Sequence, residues 1–386
     1  MDDVSQFALK KHEEWKGKIE ITARAPANTR EDLTLAYTPG VAAPCLEIQK
    51  NPELSYKYTR RGNLVAVITD GTAVLGLGDI GGPAGMPVME GKCILFKEFA
   101  GIDAFPICVK SKDTDTIVNT IVEISDSFGG INLEDISAPR CFEIEKRLIE
   151  RLDIPVFHDD QHGTAVVTCA ALINAAKCAE KKLADLKIVI NGAGAAGIAI
   201  AKLMLRLGVG DIVLVDRKGI LCRSEENSNP SKAEISKLTN KMLKTGKLSD
   251  AVVGADVFVG VSSPGVLTEN MIKSMAEKPI VFAMANPIPE IMPDVAMEAG
   301  AYILGTGRSD FPNQINNLLV FPGIFKGALQ IRAKKITKDM KLAAAKAIAD
   351  MIKSEDLNPQ NIIPSPLDKN VPDVVAKAVA GTILGC

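Results

Sequence analysis

The segment Gly192-Ala-Gly194-Ala-Ala-Gly197 constrains this chain more than any other. It stands between an apolar run, Leu186-Lys-Ile-Val-Ile190, and a helical pattern over Ile198–Leu207. A second apolar run, Asp211-Ile-Val-Leu-Val215, follows and ends at Asp216. Strand, glycine turn, helix and strand in that order make a βαβ unit, and glycines at its first turn are a dinucleotide fingerprint. Phosphates would rest on the helix N-terminus, where free N–H groups and the helix dipole favour anions. Gly192, Ala193, Gly194, Ala195, Ala196 and Gly197 are therefore the candidate cofactor turn. Asp216 stands where a carboxylate bonds the ribose 2′-hydroxyl of NAD. Arg217 and Lys218 follow at once, and either would meet the 2′-phosphate of NADP. The nucleotide is thus NAD or NADP.

Three more apolar runs, Val257–Val261, Ile280–Met284 and Tyr302–Leu304, suit a parallel sheet covered on both faces. Residues 223–250 are polar and lysine-rich, a surface excursion containing helix. Two helical stretches follow Ile336, on either side of Ile362–Pro366. Upstream, strands are expected at Leu64–Ile68, Ala104–Val109, Gly130–Leu133 and Ile154–Phe157. Helices are expected over residues 4–19, 41–50, 92–100, 114–125, 140–151 and 163–182. Seven glycines between Gly71 and Gly91 mark backbone approaching backbone or ligand. The expected fold is α/β in two parts. An N-terminal α/β domain for substrate and metal covers 1–155. A Rossmann-type, doubly wound parallel-sheet domain with C-terminal helices covers 156–386.

Two acidic clusters stand where strands end: Glu134-Asp135 and Asp159-Asp160. Their oxygen donors suit Mg²⁺ or Mn²⁺. Adjacent acidic residues are common on solvated surfaces; the apolar run before each pair sets these two apart. His158-Asp-Asp-Gln-His162 also spaces two histidines four apart, as zinc metalloproteases do. That chemistry needs one helix through both histidines, and here the helix is expected only from Gly163. Oxidising an alcohol beside a nicotinamide needs a base for the hydroxyl proton. Lys92, closing the glycine-rich stretch, is the candidate. Near a metal and a bound cofactor its ammonium form would be disfavoured. Tyr37 lies beside a Thr-Pro-Gly turn that would aim its hydroxyl into a cleft.

Composition narrows the classes. A net charge of −2 excludes a nucleic-acid binder driven by a basic field. No apolar run approaches the ~18 residues of a membrane span, and the charged N-terminus lacks the apolar core of a secretory signal. The eight cysteines form no CxxC pair and read as reduced thiols of a cytoplasmic protein.

Six motifs in order carry a family resemblance: Tyr37-Thr-Pro-Gly-Val41, Leu75-Gly-Leu-Gly-Asp79, Pro87-Val-Met-Glu-Gly-Lys92, Asn132-Leu-Glu-Asp135, Phe157-His-Asp-Asp160 and Phe321-Pro-Gly323. From about residue 30 to the C-terminus the chain resembles the small prokaryotic-type malic enzymes. The resemblance implies oxidative decarboxylation of L-malate to pyruvate and CO₂, with reduction of NAD or NADP and with Mg²⁺ or Mn²⁺, in a homodimer. It implies that Lys92 is the base, Tyr37 the acid, and that Glu134, Asp135 and Asp160 ligate the metal with Asp159 beside them. It implies that Lys92, Asn286, Asn316 and Asn317 contact substrate and that Asn286 also meets the nicotinamide end. Larger animal and plant relatives carry an arginine for the malate carboxylate just before Leu-Gly-Leu-Gly; this chain has Ala73. Arg308, Asn286 or backbone amides of the glycine-rich loop would replace it. The rival readings are a malolactic-type enzyme or another metal-assisted 2-hydroxy-acid oxidoreductase, an amino-acid dehydrogenase that needs no metal, and a non-catalytic dinucleotide sensor.

Overall fold

A computed structural model describes residues 3–74, 76–223 and 229–384. Leu75, residues 224–228 of the polar excursion and Cys386 lie outside the described residues.

The chain opens with α1 (Asp3–Trp15), α2 (Arg30–Ala36), α3 (Ala42–Lys50) and α4 (Ser55–Tyr58). From Val4 to Leu54 no residue is buried; Ser55 is the first. Then come β1 (Leu64–Thr69), α5 (Gly82–Ala100), β2 (Asp103–Cys108), α6 (Thr114–Ile124), β3 (Gly130–Leu133), α7 (Arg140–Arg151) and β4 (Val156–His158). The four strands form one parallel sheet in the order β2-β1-β3-β4. Its last strand runs just beyond residue 155.

Two helices start earlier than expected. α5 begins at Gly82, ten residues before Lys92, so half of the glycine-rich stretch is helical. Pro83 fits because the first helical turn needs no N–H there. Gly82 packs so close to Cys108 that a side chain would crowd it. The expected close approach does hold at Gly71, whose φ is +71° and whose missing side chain admits the backbone of Gly81. The next helix, α8 (Asp159–Cys178), starts directly after β4, not at Gly163. Asp159, Asp160 and His162 are therefore helical, and His158 caps the helix in an extended conformation.

The second sheet follows: β5 (Lys187–Asn191), α9 (Ala195–Leu207), β6 (Asp211–Asp216), β7 (Gly219–Ile220), α10 (Pro230–Ser236), α11 (Leu248–Val252), β8 (Val257–Gly260), α12 (Glu269–Lys273), β9 (Ile280–Ala283), α13 (Pro293–Glu298) and β10 (Ile303–Thr306). Its order is β7-β6-β5-β8-β9-β10, parallel except for the short β7. This is the Rossmann order with its switch point between β5 and β8, where ligands bind at strand C-termini.

The chain closes with α14 (Phe321–Gln330), α15 (Lys338–Ala349) and α16 (Val371–Leu384); α14 lay outside the sequence expectation. α14 and α16 return to pack on α5. One apolar cluster runs from Val65 and Val67 of β1, through α8, to Ile188 and Ile190 of β5 and to Phe321 and Phe325 of α14. The α8 helix is the shared wall between the sheets. No described helix is long and apolar enough to cross a membrane.

Candidate active site

The C-terminal edge of the first sheet gathers the charged residues. Strand β3 is wholly buried and delivers Glu134 and Asp135 at its end. Asp135 takes a positive φ of 55°, which turns the chain sharply. Its N–H donates to Asp160 Oδ2 at 2.8 Å, linking the two acidic clusters. Ligand atoms of Glu134, Asp135 and Asp160 lie within 4.8 Å of one another. Asn132, buried in β3, donates Nδ2–H to Glu134 Oε2 at 2.9 Å.

Lys92 reaches this cluster from α5. Its Nζ lies 2.7 Å from Asp159 Oδ2 and 3.1 Å from Glu134 Oε1, and 4.4 Å from the Phe321 ring centre. Asn317 donates Nδ2–H to the same Asp159 oxygen at 2.5 Å. A side chain at Gly163 would occupy the place of Asp159 Oδ1, so this glycine lets Asp159 fold back toward Lys92. Thus the site assembles Lys92, Glu134, Asp135, Asp159, Asp160 and Asn317 from four separate segments.

Burial alone would lower the Lys92 ammonium. Asp159 and Glu134 outweigh burial and hold it above the ordinary lysine range. Burial pushes the Asp159 carboxyl up to about 7 against the pull of Lys92. Burial also raises Glu134 and Asp160, and neighbouring carboxylates add to it. Four acids and one ammonium share a pocket in which only Asp160 is partly exposed, and Asp159 Oδ1 is buried with no hydrogen-bond partner among the described residues. An all-oxygen donor set with excess negative charge fits a hard divalent cation.

Residues that the sequence argument missed hold this edge in place. Buried Glu145 of α7 accepts His158 N–H at 3.2 Å and lies 2.9 Å from His162 Nε2. Burial opposes its charge, but His162 beside it draws Glu145 down to about 2. Asp70, also buried, pairs with Arg140 at 2.8 Å and accepts from Thr72, whose Oγ1 accepts Ser137 N–H. Ala73 N–H donates to Asp135 O at 2.9 Å, so the glycine-rich loop is bonded to the acidic turn. Apart from the bond of Thr72 to Asp70, these ties join different segments, and no local pattern announces them.

Three further expected residues make no hydrogen bond or ion pair with this cluster among the described residues. Tyr37 caps α2 and is 71% exposed, so its hydroxyl does not enter a cleft of its own chain. Its supporting helices bury nothing and therefore cannot press it inward. Asn316 spends its Oδ1 on Leu318 N–H at 2.9 Å as a helix cap. The Arg308 guanidinium is paired in two bonds with Asp310 and reaches only the Pro287 carbonyl toward the crevice.

The second sheet presents the dinucleotide turn. Gly192 has φ +125° and lies against the Val261 backbone, while a side chain on Gly197 would strike Gly192 O. Gly194 caps α9 without a side-chain bond, leaving the first N–H groups of the helix open for phosphate. Asp216 at the end of β6 accepts Lys218 N–H at 2.7 Å and meets Lys232 Nζ at 2.5 Å. Arg217 and Lys218 are exposed beside it. Asn286 sits in the loop after β9, its carbonyl against Gly76 of the glycine-rich loop. The glycine-rich loop of the first sheet and the loop after β9 of the second thus meet at Gly76 and Asn286.

Comparisons with known proteins agree over nearly the whole chain. Residues 16–149 match the malic enzyme N-terminal domain and residues 161–384 the malic enzyme NAD binding domain. The chain is 55% identical to a bifunctional malic/malolactic enzyme of Bacillus subtilis, covering 98% of this chain and 92% of the relative. It is 58% identical to an NAD-dependent malic enzyme of Geobacillus stearothermophilus, over 94% of this chain and 76% of that one. It spans about half (52%) of an NADP-dependent malic enzyme of Escherichia coli, at 50% identity. The crystal structure of an NAD-dependent malic enzyme from Thermotoga maritima superposes with a TM-score of 0.94 at 52% identity, covering 97% of this chain and 99% of that one. The chain thus belongs to the malic enzyme family, as an enzyme whose second half is the family's NAD-binding domain.

Proposed function

We propose that this protein oxidatively decarboxylates L-malate to pyruvate and CO₂ with reduction of NAD or NADP, and that it requires Mg²⁺ or Mn²⁺. The observation that carries this reading is the buried contact of Lys92 with Asp159 and Glu134 at the rim of the carboxylate trio. Glu134, Asp135 and Asp160 would hold the cation, which when bound supplies Lewis-acid polarisation of the substrate's C2 oxygen. Once a bound cation offsets the carboxylates that hold its proton, Lys92 would hand that proton to Asp159, 2.7 Å away, and would then take the proton of the malate C2 hydroxyl, a bound nicotinamide supplying the hydride acceptor. Asn317 steadies Asp159. Phe321 and the α14 helix close the apolar side and exclude water. Loss of CO₂ leaves an enolate whose C3 is protonated by Tyr37. Asn286 meets the substrate and nicotinamide end from the second sheet.

Tyr37 would act across a homodimer. Val4, Phe7, Leu9, Trp15, Leu33 and Leu35 are all exposed on an arm in which no residue is fully buried. Docked on a second copy, the arm would cover these side chains and carry Tyr37 to the partner's Lys92. Mixing Tyr37→Phe with Lys92→Ala then restores activity that neither variant has alone. A mixture as inactive as its parts would sink the exchange.

For the nucleotide, Asp216 supports NAD, and Lys232, Arg217 and Lys218 around it support NADP. Cys45, Cys93, Cys108, Cys141, Cys169 and Cys178 form no disulfide, which supports a reducing compartment, the cytoplasm. The direct test is L-malate with Mn²⁺ and either nucleotide. Stoichiometric pyruvate and reduced nicotinamide are expected; accumulation of oxaloacetate, or no reduction with either nucleotide, defeats the reading. The bifunctional Bacillus relative favours one alternative, lactate formation without net reduction. Product analysis decides it.

A further inference from the structure

Glu290 lies in the loop between β9 and α13 and is fully buried. It has no ion-pair partner among the described residues. Its Oε1 accepts Ser262 N–H at 2.9 Å and its Oε2 accepts Ala285 N–H at 3.0 Å. A carboxylate buried against backbone donors alone is an expensive feature for a fold to keep. Its location explains the expense. Ser262 lies in the loop after β8, and Ala285 in the loop after β9.

Both loops border the dinucleotide turn. Asn191, at the end of β5, donates Nδ2–H to Ser262 Oγ at 2.7 Å. Gly192 packs on Val261, next to Ser262. Asn286, next to Ala285, sets its carbonyl against Gly76 of the glycine-rich loop. Backbone bonds from Leu267 to Glu290 O and from Gly265 to Pro289 O reinforce the tie. The strand leaves room for it, because a side chain on Gly260 would run into the Glu290 carboxyl.

We propose that Glu290 is a positioning residue, whose carboxylate straps the loop after β8 to the loop after β9 and so fixes Ser262 and Asn286 at the mouth of the dinucleotide crevice. It touches neither substrate nor cofactor. The proposal rests on the reading that the dinucleotide lies across the β5–β8 switch point.

The test uses the full chain carrying Glu290→Gln, whose amide keeps one acceptor but sets an NH₂ against the other N–H donor. The dissociation constant of NADH is read by fluorescence titration, beside steady-state kinetics. NADH binding and the KM for NAD(P) are expected to weaken about tenfold, the scale of one buried donor left unsatisfied. The kcat, Mn²⁺ affinity and thermal midpoint should change far less. Gly260→Ala displaces the same carboxylate from the other side and should produce the same split with Glu290 intact. A folded Glu290→Gln with unchanged NADH affinity overturns the proposal. Failure of both variants to fold also overturns it, since Glu290 would then serve stability alone. If the wild-type protein does not bind NADH, the crevice reading itself falls and the strap falls with it.

Discussion

The two sheets solve the same problem, ligand capture at strand C-termini, by opposite means. The first edge concentrates charge: Lys92, Glu134, Asp135, Asp159 and Asp160 crowd one largely buried pocket. The second edge removes side chains: Gly192, Gly194 and Gly197 clear the backbone, and its buried carboxylate, Glu290, bonds only to N–H groups. On the proposed reading, the difference follows from the ligands. A hard cation and a migrating proton need fixed charge. A dinucleotide needs backbone close enough to touch and a helix terminus to face its phosphates. Charge crowding makes the first edge costly to assemble, and the second depends on clearance.

That contrast can be broken in four places. The largest effect should come from Lys92→Met, expected to lower kcat on the order of 10³-fold, the scale of a lost general base. NADH affinity should hold, and a parallel loss of NADH binding would mean the two edges are not separable. Glu145→Gln comes next. It weakens the tie to His162 and His158 that aims α8, and Mn²⁺ affinity should fall about 10- to 100-fold, as for other outer partners of a metal site. Calorimetric titration with Mn²⁺ alone checks this without turnover; an unchanged affinity would remove Glu145 from the account. Gly197→Ala tests the second edge, where the new Cβ strikes Gly192 O. NADH binding should weaken about tenfold, the scale of modest overpacking, with Mn²⁺ binding intact.

The smallest effect concerns charge outside both edges. Burial pushes the Lys341 ammonium on α15 down to about 8 from 10.5, against the pull of Glu145. Between those values the unfolded chain holds more protons than the folded one, so stability should rise with pH across that window. Lys341→Met should flatten this rise in urea midpoints measured at its two ends. A variant as steep as the wild type would show that Lys341 is solvated.

Much of this was legible in the sequence, for a local reason. The fingerprint, both acidic clusters and most strands of the two sheets are short-range patterns of apolar period and turn residues, and these survive as written. Lys92 and Asn317 could be named from their motifs. The helix starts at Gly82 and Asp159 were obscured, since glycine, proline and paired acids read as loop until a neighbour packs on them. Glu145, Asp70 and Glu290 had no local signal, because each has a deciding partner on another segment: His158, Arg140 and Ser262.

The sequence by itself determined two α/β units, a nucleotide turn and an oxygen-ligand cluster. Only the tertiary structure decided how the chemical groups are poised. It set Lys92 against Asp159, 67 residues away, and turned Tyr37 outward on an arm with nothing of its own to cover it. The physical reason is that periodicity is a property of neighbours along the chain. The charge state of a buried lysine depends instead on which carboxylates arrive within about 3 Å of it and on how much water they displace.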